Sequence, residues 1–180
     1  SIRWKEDRIE YEADHRHAEV IIEECEAMNG KVSKTPGVHE PTSAIEEKND
    51  DEEMEEWDKT KFRGVAARIN YLAMDSTDIQ FAAKDLCRHM SRPSRGDWEK
   101  AKRIARYLKW RPRAVLRFEF EEQTNKVDGF ADSDWAGERP SMKSASGGAI
   151  RWGSSTLKSW SSTQATIALS SAEAELYAMS

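Results

Sequence analysis

Cysteine is almost missing. Cys25 and Cys87 are the only two in 180 residues, too few for a disulfide framework and in keeping with a reducing compartment. His15, His17, His39 and His89 stand at no metal-site spacing from either thiol, so they read as surface or internally satisfied residues. No apolar run approaches the roughly 20 residues of a membrane-spanning helix, and no signal-peptide pattern opens the chain. Apolar residues are sparse for a compact globule, 38% against 34% charged, with a mean hydropathy of −0.83. The length suits one domain, or one and part of a second. The first residue is Ser rather than Met, and the last falls within an expected helix. Both termini are therefore expected to be cut ends.

What is present is charge, unevenly placed. The net charge of −5 argues against a nucleic-acid partner only until it is divided along the chain. Residues 1–39 carry about −3, residues 40–60 about −8, residues 61–120 about +9 and residues 121–180 about −3. The positive charge is gathered in one segment, where a polyanion could use it.

Two acid pairs mark the C-terminal third, Asp132 with Asp134 and Glu173 with Glu175. Asp132 and Asp134 lie in a stretch that reads as a strand, so alternation puts both on one face. Ser170-x-x-Glu173 is a capping-box signature that starts a helix, with Glu175 near its beginning. Between the pairs, Gly147–Trp152 reads as a second strand, Gly153-Ser154-Ser155 as a turn and Thr156–Trp160 as a third strand. Three strands followed by a helix restrict the architecture to α+β or α/β. A strand carboxylate converging on a helix carboxylate is the minimum for a hard divalent cation, which takes oxygen ligands. Each acid also has a plainer explanation. A strand pair is more often a solvated face, and acids at a helix start complement its dipole by a few tenths of a kcal/mol.

The remainder reads as follows. Ile2–Tyr11 forms a hairpin turning at Glu6-Asp7, and Asp14 caps a helix carrying Ala18, Ile21, Ile22 and Cys25. Thr35-Pro36-Gly37 opens a loop. Residues 39–60 are an acidic stretch expected to be a mobile linker. Phe62–Leu72 and Ile79–Met90 are two helices divided at Ser76-Thr77-Asp78, and Asp97–Trp110 is a third. Trp98, Ala101, Ile104, Ala105 and Leu108 form the apolar stripe of that third helix. Lys100, Lys102, Arg103, Arg106 and Lys109 occupy its other faces and are candidates for phosphate contact, against the alternative of an ordinary solvated face. Val115–Phe120 alternates as a strand, and residues 121–125 form a polar turn.

FADSDWAG, SASGG and KSWSSTQATIALSSAEAELYAM together resemble the opening half of the ribonuclease H domain of copia-type LTR-retrotransposon Pol polyproteins. KFRGVAARINYLA, DIQFAAKDLCRHMSRP and DWEKAKRIARYLK resemble the helical connection that precedes that domain, in the same order. The first forty residues resemble the end of the reverse transcriptase. Two positions depart from the family: Ser76-Thr77 stands where Arg-Pro is usual, and Asp97 where His is frequent.

The resemblance implies an α+β chain in four segments. Residues 1–38 would end the reverse transcriptase, 39–60 would be the linker, 61–120 a basic helical connection, and 121–180 an incomplete ribonuclease H-like α/β fold. It implies Asp132 and Glu175 as catalytic carboxylates and metal ligands; Asp134 is a further candidate metal ligand by its place on the strand, against the alternative that it simply sits in solvent beside Asp132. Mg²⁺, or Mn²⁺, would be the cofactor of two-metal hydrolysis of RNA in RNA–DNA hybrids. The partners would be that hybrid and the other Pol domains, in cytoplasmic retroelement particles or the nucleus. The family's third catalytic Asp lies beyond residue 180, so the chain alone is expected to bind metal weakly and not to cleave.

Overall fold

Alternating Ile2-Arg3-Trp4 and Arg8–Glu12 pair as an antiparallel hairpin of strands β1 (Ile2–Trp4) and β2 (Arg8–Glu12), with Ile2 opposite Tyr11 and Trp4 opposite Ile9. The turn falls between them, as the polar Glu6-Asp7 pair predicts. In this computed structural model, residues 1–37, 54–120, 125–138 and 141–180 are described. Most of the acidic stretch and most of the 121–125 turn lie outside the described residues.

The chain divides into two compact units. The first comprises Ser1 and residues 12–114. It holds helices α1 (Arg16–Glu24), α2 (Glu56–Ala73), α3 (Gln80–Arg88) and α4 (Arg95–Trp110), with a 3-10 turn over Thr77–Ile79. Apolar residues at helical spacing converge here: Ile21, Phe62, Val65, Ile69, Leu86 and Ile104 are all essentially inaccessible. Each such side chain contributes roughly 1.5–3 kcal/mol relative to exposure.

Three boundaries in this unit differ from the sequence reading. Helix α2 begins at Glu56, inside the stretch expected to be linker. Glu56 and Asp58 sit in its first turn, where acids favour the dipole, and Met54 just before it is buried. Asp14 is not the N-cap of α1. That position is His15, while Asp14 accepts a hydrogen bond from the Arg16 backbone at 3.1 Å and binds its guanidinium. Helix α4 starts two residues earlier than expected, because Ser94 and Asp97 form a reciprocal capping box.

The second unit comprises residues 2–11 and 115–180, so these compact units cut across the four sequence segments. Strand β3 (Val115–Glu119) joins the N-terminal hairpin in the order β1-β2-β3. A second antiparallel sheet is the expected meander: β4 (Val127–Glu138), β5 (Lys143–Trp152) and β6 (Ser155–Thr163), in that order. Gly153, at φ 57°, supplies the left-handed residue of the tight β5–β6 turn. Helix α5 (Ser171–Ala178) packs against β4 and β5. The mixed α+β architecture agrees with the sequence reading.

The second unit has little apolar interior. Among the described residues only Ala145, Ala168, Ala174 and Ala178 are buried apolar groups in it. Phe130, Trp135, Leu169, Leu176 and Met179 are all more than half exposed.

Candidate functional site

Strand β4 carries the site. Its register is regular from Val127 to Asp134, with Asp132 opposite Gly147, Ser133 opposite Ser146 and Asp134 opposite Ala145. After Asp134 the pairing shifts and resumes at Glu138 opposite Lys143. Ala136 adopts φ 52° within this irregularity, and its N–H donates to Ser144 Oγ at 3.0 Å. The bulge divides the two aspartates by role.

Asp134 is held by the bulge. Its Oδ1 accepts a hydrogen bond from the Ala145 backbone N–H. A Cβ on Gly137 would fall 2.5 Å from the Asp134 carboxylate carbon, so glycine is what lets the exposed Asp134 side chain lie against this backbone. Asp132 is exposed, and no hydrogen bond or ion pair engages its carboxylate among the described residues. Its cross-strand neighbour Gly147 has no side chain to crowd it.

The helix acids divide in the same way. Ser170 caps α5 as its sequence signature predicts, its Oγ accepting from the Glu173 N–H at 3.2 Å. The returning arm differs: the Glu173 carboxylate accepts from the Leu169 N–H at 2.7 Å and from the Tyr177 hydroxyl at 2.7 Å. Those bonds, led by that from Tyr177, hold Glu173 below the usual carboxylate range. Glu175 turns instead toward the strand. Its Oε1 accepts from the Ser133 N–H across a long 3.4 Å. That nitrogen is bonded directly to the Asp132 carbonyl carbon, so the structure brings Glu175 within one residue of Asp132.

The loop before α5 is fastened as well. Trp135 Nε1 donates to the Ala168 carbonyl at 3.1 Å. Gln164, only 7% exposed, donates from Nε2 to Ser146 Oγ and to the Ala174 carbonyl. Nothing in sequence spacing singles out Gln164, because its two partners are 18 and 10 residues away.

Asp132 and Glu175 suit a hard divalent cation in donor type. Mg²⁺ commonly takes one or two protein carboxylates and completes its shell with water and substrate phosphate. No group of three or more His, Cys, Asp or Glu side chains is arranged for a metal ion among the described residues. Asp134 is brought to the same strand but is occupied by the bulge.

The five α4 cations belong to the first unit, and each is engaged within it. Lys100 pairs with Asp85 at 3.3 Å and with Asp97 at 3.6 Å. Lys102 pairs with Glu99 at 2.7 Å, and Arg106 stands 3.9 Å from the same carboxylate. Arg103 donates to Thr35 Oγ1 at 2.7 Å. Lys109 donates to the Met28 and Gly30 carbonyls at 2.6 and 2.9 Å. Much of this basic face therefore secures the loop that follows α1.

The Retrovirus-related Pol polyprotein from transposon RE2 of Arabidopsis thaliana is 33% identical over 119 residues, covering 66% of this chain and 8% of that protein. The chain belongs to the retrovirus-related Pol polyproteins of transposons. The Uncharacterized mitochondrial protein AtMg00810 of the same plant is 32% identical to this Pol chain over 123 residues, 68% of the chain and 50% of that protein. The Secreted RxLR effector protein 161 of Plasmopara viticola is 33% identical over 116 residues, 64% of the chain and 81% of that protein. This Pol chain thus spans about one-twelfth of the RE2 polyprotein and half of the mitochondrial protein. No protein-family model matches it. No solved structure matches it either.

Proposed function

We propose that this Pol chain supplies the strand and helix carboxylates of a ribonuclease H-type nuclease that cleaves the RNA strand of RNA–DNA hybrids. The observation that carries the reading is the Glu175 carboxylate resting on the amide that follows Asp132. Glu175 reaches the β4 backbone one residue from Asp132, 43 positions away in sequence, while Asp134 and Glu173 are engaged by local structure. Asp132 and Glu175 would hold the divalent ion, Mg²⁺ or Mn²⁺, and that ion would supply charge stabilisation and an activated water.

The chain's own contribution is placement. Paired β4 backbone holds Asp132 in position, and its open surroundings leave room for a phosphate. The Ser133 N–H orients Glu175 through one oxygen and leaves the other to bind. Recognition of a hybrid would fall to contacts with backbone and 2′-hydroxyl groups, which identify the RNA strand without reading sequence.

For α4, the side-chain bonds of Arg103 to Thr35 and of Lys109 to Met28 and Gly30 favour a second reading, a structural connector in which these two residues hold the 28–35 loop. Neutralising Arg103 and Lys109 together would then lower stability while leaving hybrid binding unchanged. A large drop in salt-sensitive binding with no loss of stability would restore the phosphate-contact role.

The nuclease reading is tested in a longer Pol protein carrying this chain, incubated with Mg²⁺ and a labelled RNA–DNA hybrid. Cleavage of the RNA strand only is expected, with loss of at least about a hundredfold in Asp132→Asn and Glu175→Gln. Undiminished cleavage in Asp132→Asn would refute the assignment. The 180-residue chain by itself is expected to bind Mg²⁺ weakly and to leave the hybrid intact.

A further inference from the structure

We propose that Gln164 is a positioning residue for Glu175, a latch that fixes the start of α5 against the strand amide on which the carboxylate rests. Its functional meaning depends on the nuclease reading above, while its structural content is independent of it. Gln164 follows β6 directly and is anchored at both ends. Its backbone N–H donates to the Ser144 carbonyl at 2.8 Å. Its side-chain Nε2 donates to Ser146 Oγ at 2.9 Å and to the Ala174 carbonyl at 2.8 Å. Ser146 is the cross-strand partner of Ser133, and Ala174 immediately precedes Glu175. One buried amide therefore ties the residue before Glu175 to the rung that receives Glu175.

The latch matters because the other fastening, Trp135 to the Ala168 carbonyl, holds only the loop before this helix. Eight residues are too few for a helix to be stable without tertiary support. The apolar contact of α5 rests on Ala174 and Ala178, two methyl groups, while Leu176 and Met179 are exposed. Small apolar contacts fix a helix loosely against sliding or rotation, whereas a bidentate amide has a defined length and direction. Gln164 Oε1 makes no hydrogen bond, so the whole grip runs through Nε2. A shift of α5 by even one ångström would part Glu175 from Ser133, whose bond is already long at 3.4 Å.

The experiment is amide hydrogen exchange by NMR on the metal-free 180-residue chain, comparing wild type with Gln164→Met, Ser146→Ala and Glu175→Ala. Methionine keeps the length and apolar body of the side chain and removes both donors, so it separates hydrogen bonding from packing. Exchange at the Ser133 amide is expected to rise about tenfold in Gln164→Met, matching Glu175→Ala, while the β5–β6 ladder stays within about twofold of wild type. A Ser133 amide as protected in Gln164→Met as in wild type overturns the proposal. If Gln164→Met fails to fold, Ser146→Ala decides. It removes only the sheet-side bond and should raise Ser133 exchange about threefold, and no rise overturns the latch. A readout outside this chain separates the two readings. The comparison is with the hybrid-cleavage assay on the longer Pol protein: an RNA strand left intact there by the wild type counts against the nuclease and leaves the latch standing.

Discussion

Arg113 holds Glu12 in a two-pronged ion pair, Nε and Nη2 each donating to one carboxylate oxygen, across 101 residues of chain. The pair ties the first long segment of the helical unit to its last. Glu12 is 5% exposed as a residue, whereas the Arg113 side chain is 54% exposed. The two partners are thus unequally dependent on each other. Arg113→Ala takes a bidentate guanidinium from a buried carboxylate and should cost about 2 kcal/mol, below the usual range for a fully buried pair because water reaches the guanidinium. Glu12→Gln weakens the pair from its buried side while keeping an amide in place and should cost about 1 kcal/mol less than that. Urea denaturation of both variants measures the difference, and equal losses would contradict this account.

Asp97 gives the helical unit its acid sensitivity. Burial at 4% exposure pushes its carboxyl upward, but hydrogen bonds from His89 and from Ser94 outweigh burial and leave it at about 2. A carboxyl depressed in the folded state stabilises the fold above its unfolded value, about 3.9, and loses that contribution as pH falls toward 2. Stability measured from pH 5 to pH 2 should decline by about 2 kcal/mol through this group. Asp97→Asn should be less stable at pH 5 and flatter over the same window. An unchanged slope in that variant would show that other carboxylates govern the acid limb.

The two strand aspartates should separate cleanly by thermal denaturation. Among the described residues Asp132 has no partner to lose, so Asp132→Asn should change stability by less than about 0.5 kcal/mol. Asp134→Ala strands the Ala145 N–H at a buried position and should cost about 1–3 kcal/mol. The opposite order would mean that Asp132 is structural and Asp134 the available ligand.

Gly148 lies opposite Trp160, whose indole covers it so closely that an added Cβ would stand 2.5 Å from Cε2. Gly148→Ala must therefore displace the ring, at a cost of about 1–3 kcal/mol. The Trp160 indole N–H resonance should move with it. A variant of wild-type stability with that resonance in place would show that the close packing is not maintained in solution.

The order of elements was legible because it is written in local chemistry. The β4–β5–β6 meander follows from alternation and from Gly153 at its turn, α5 from the Ser170 cap, and the α4 core stripe from its 3.6-residue period. The sequence signal for the α4 start also exists, Ser94-x-x-Asp97, and overrides the choice of Asp97 as first residue. The start of α2 was not legible because Glu56 and Asp58 count as charge in a composition window, yet favour a helix when placed in its first turn.

By itself, then, the sequence determined which residues could become strands, helices and caps, and which acids were worth following. Spacing along one element is sufficient for that. Only the tertiary structure decided what each candidate does. It committed Asp134 to a bulge, Glu173 to its own helix start and the α4 cations to their own unit. It sent Glu175 to the amide beside Asp132 and placed Gln164 between Ser146 and Ala174. The physical reason is that a polar side chain takes whichever partner folding brings within about 3 Å, and no pattern along the chain records that distance.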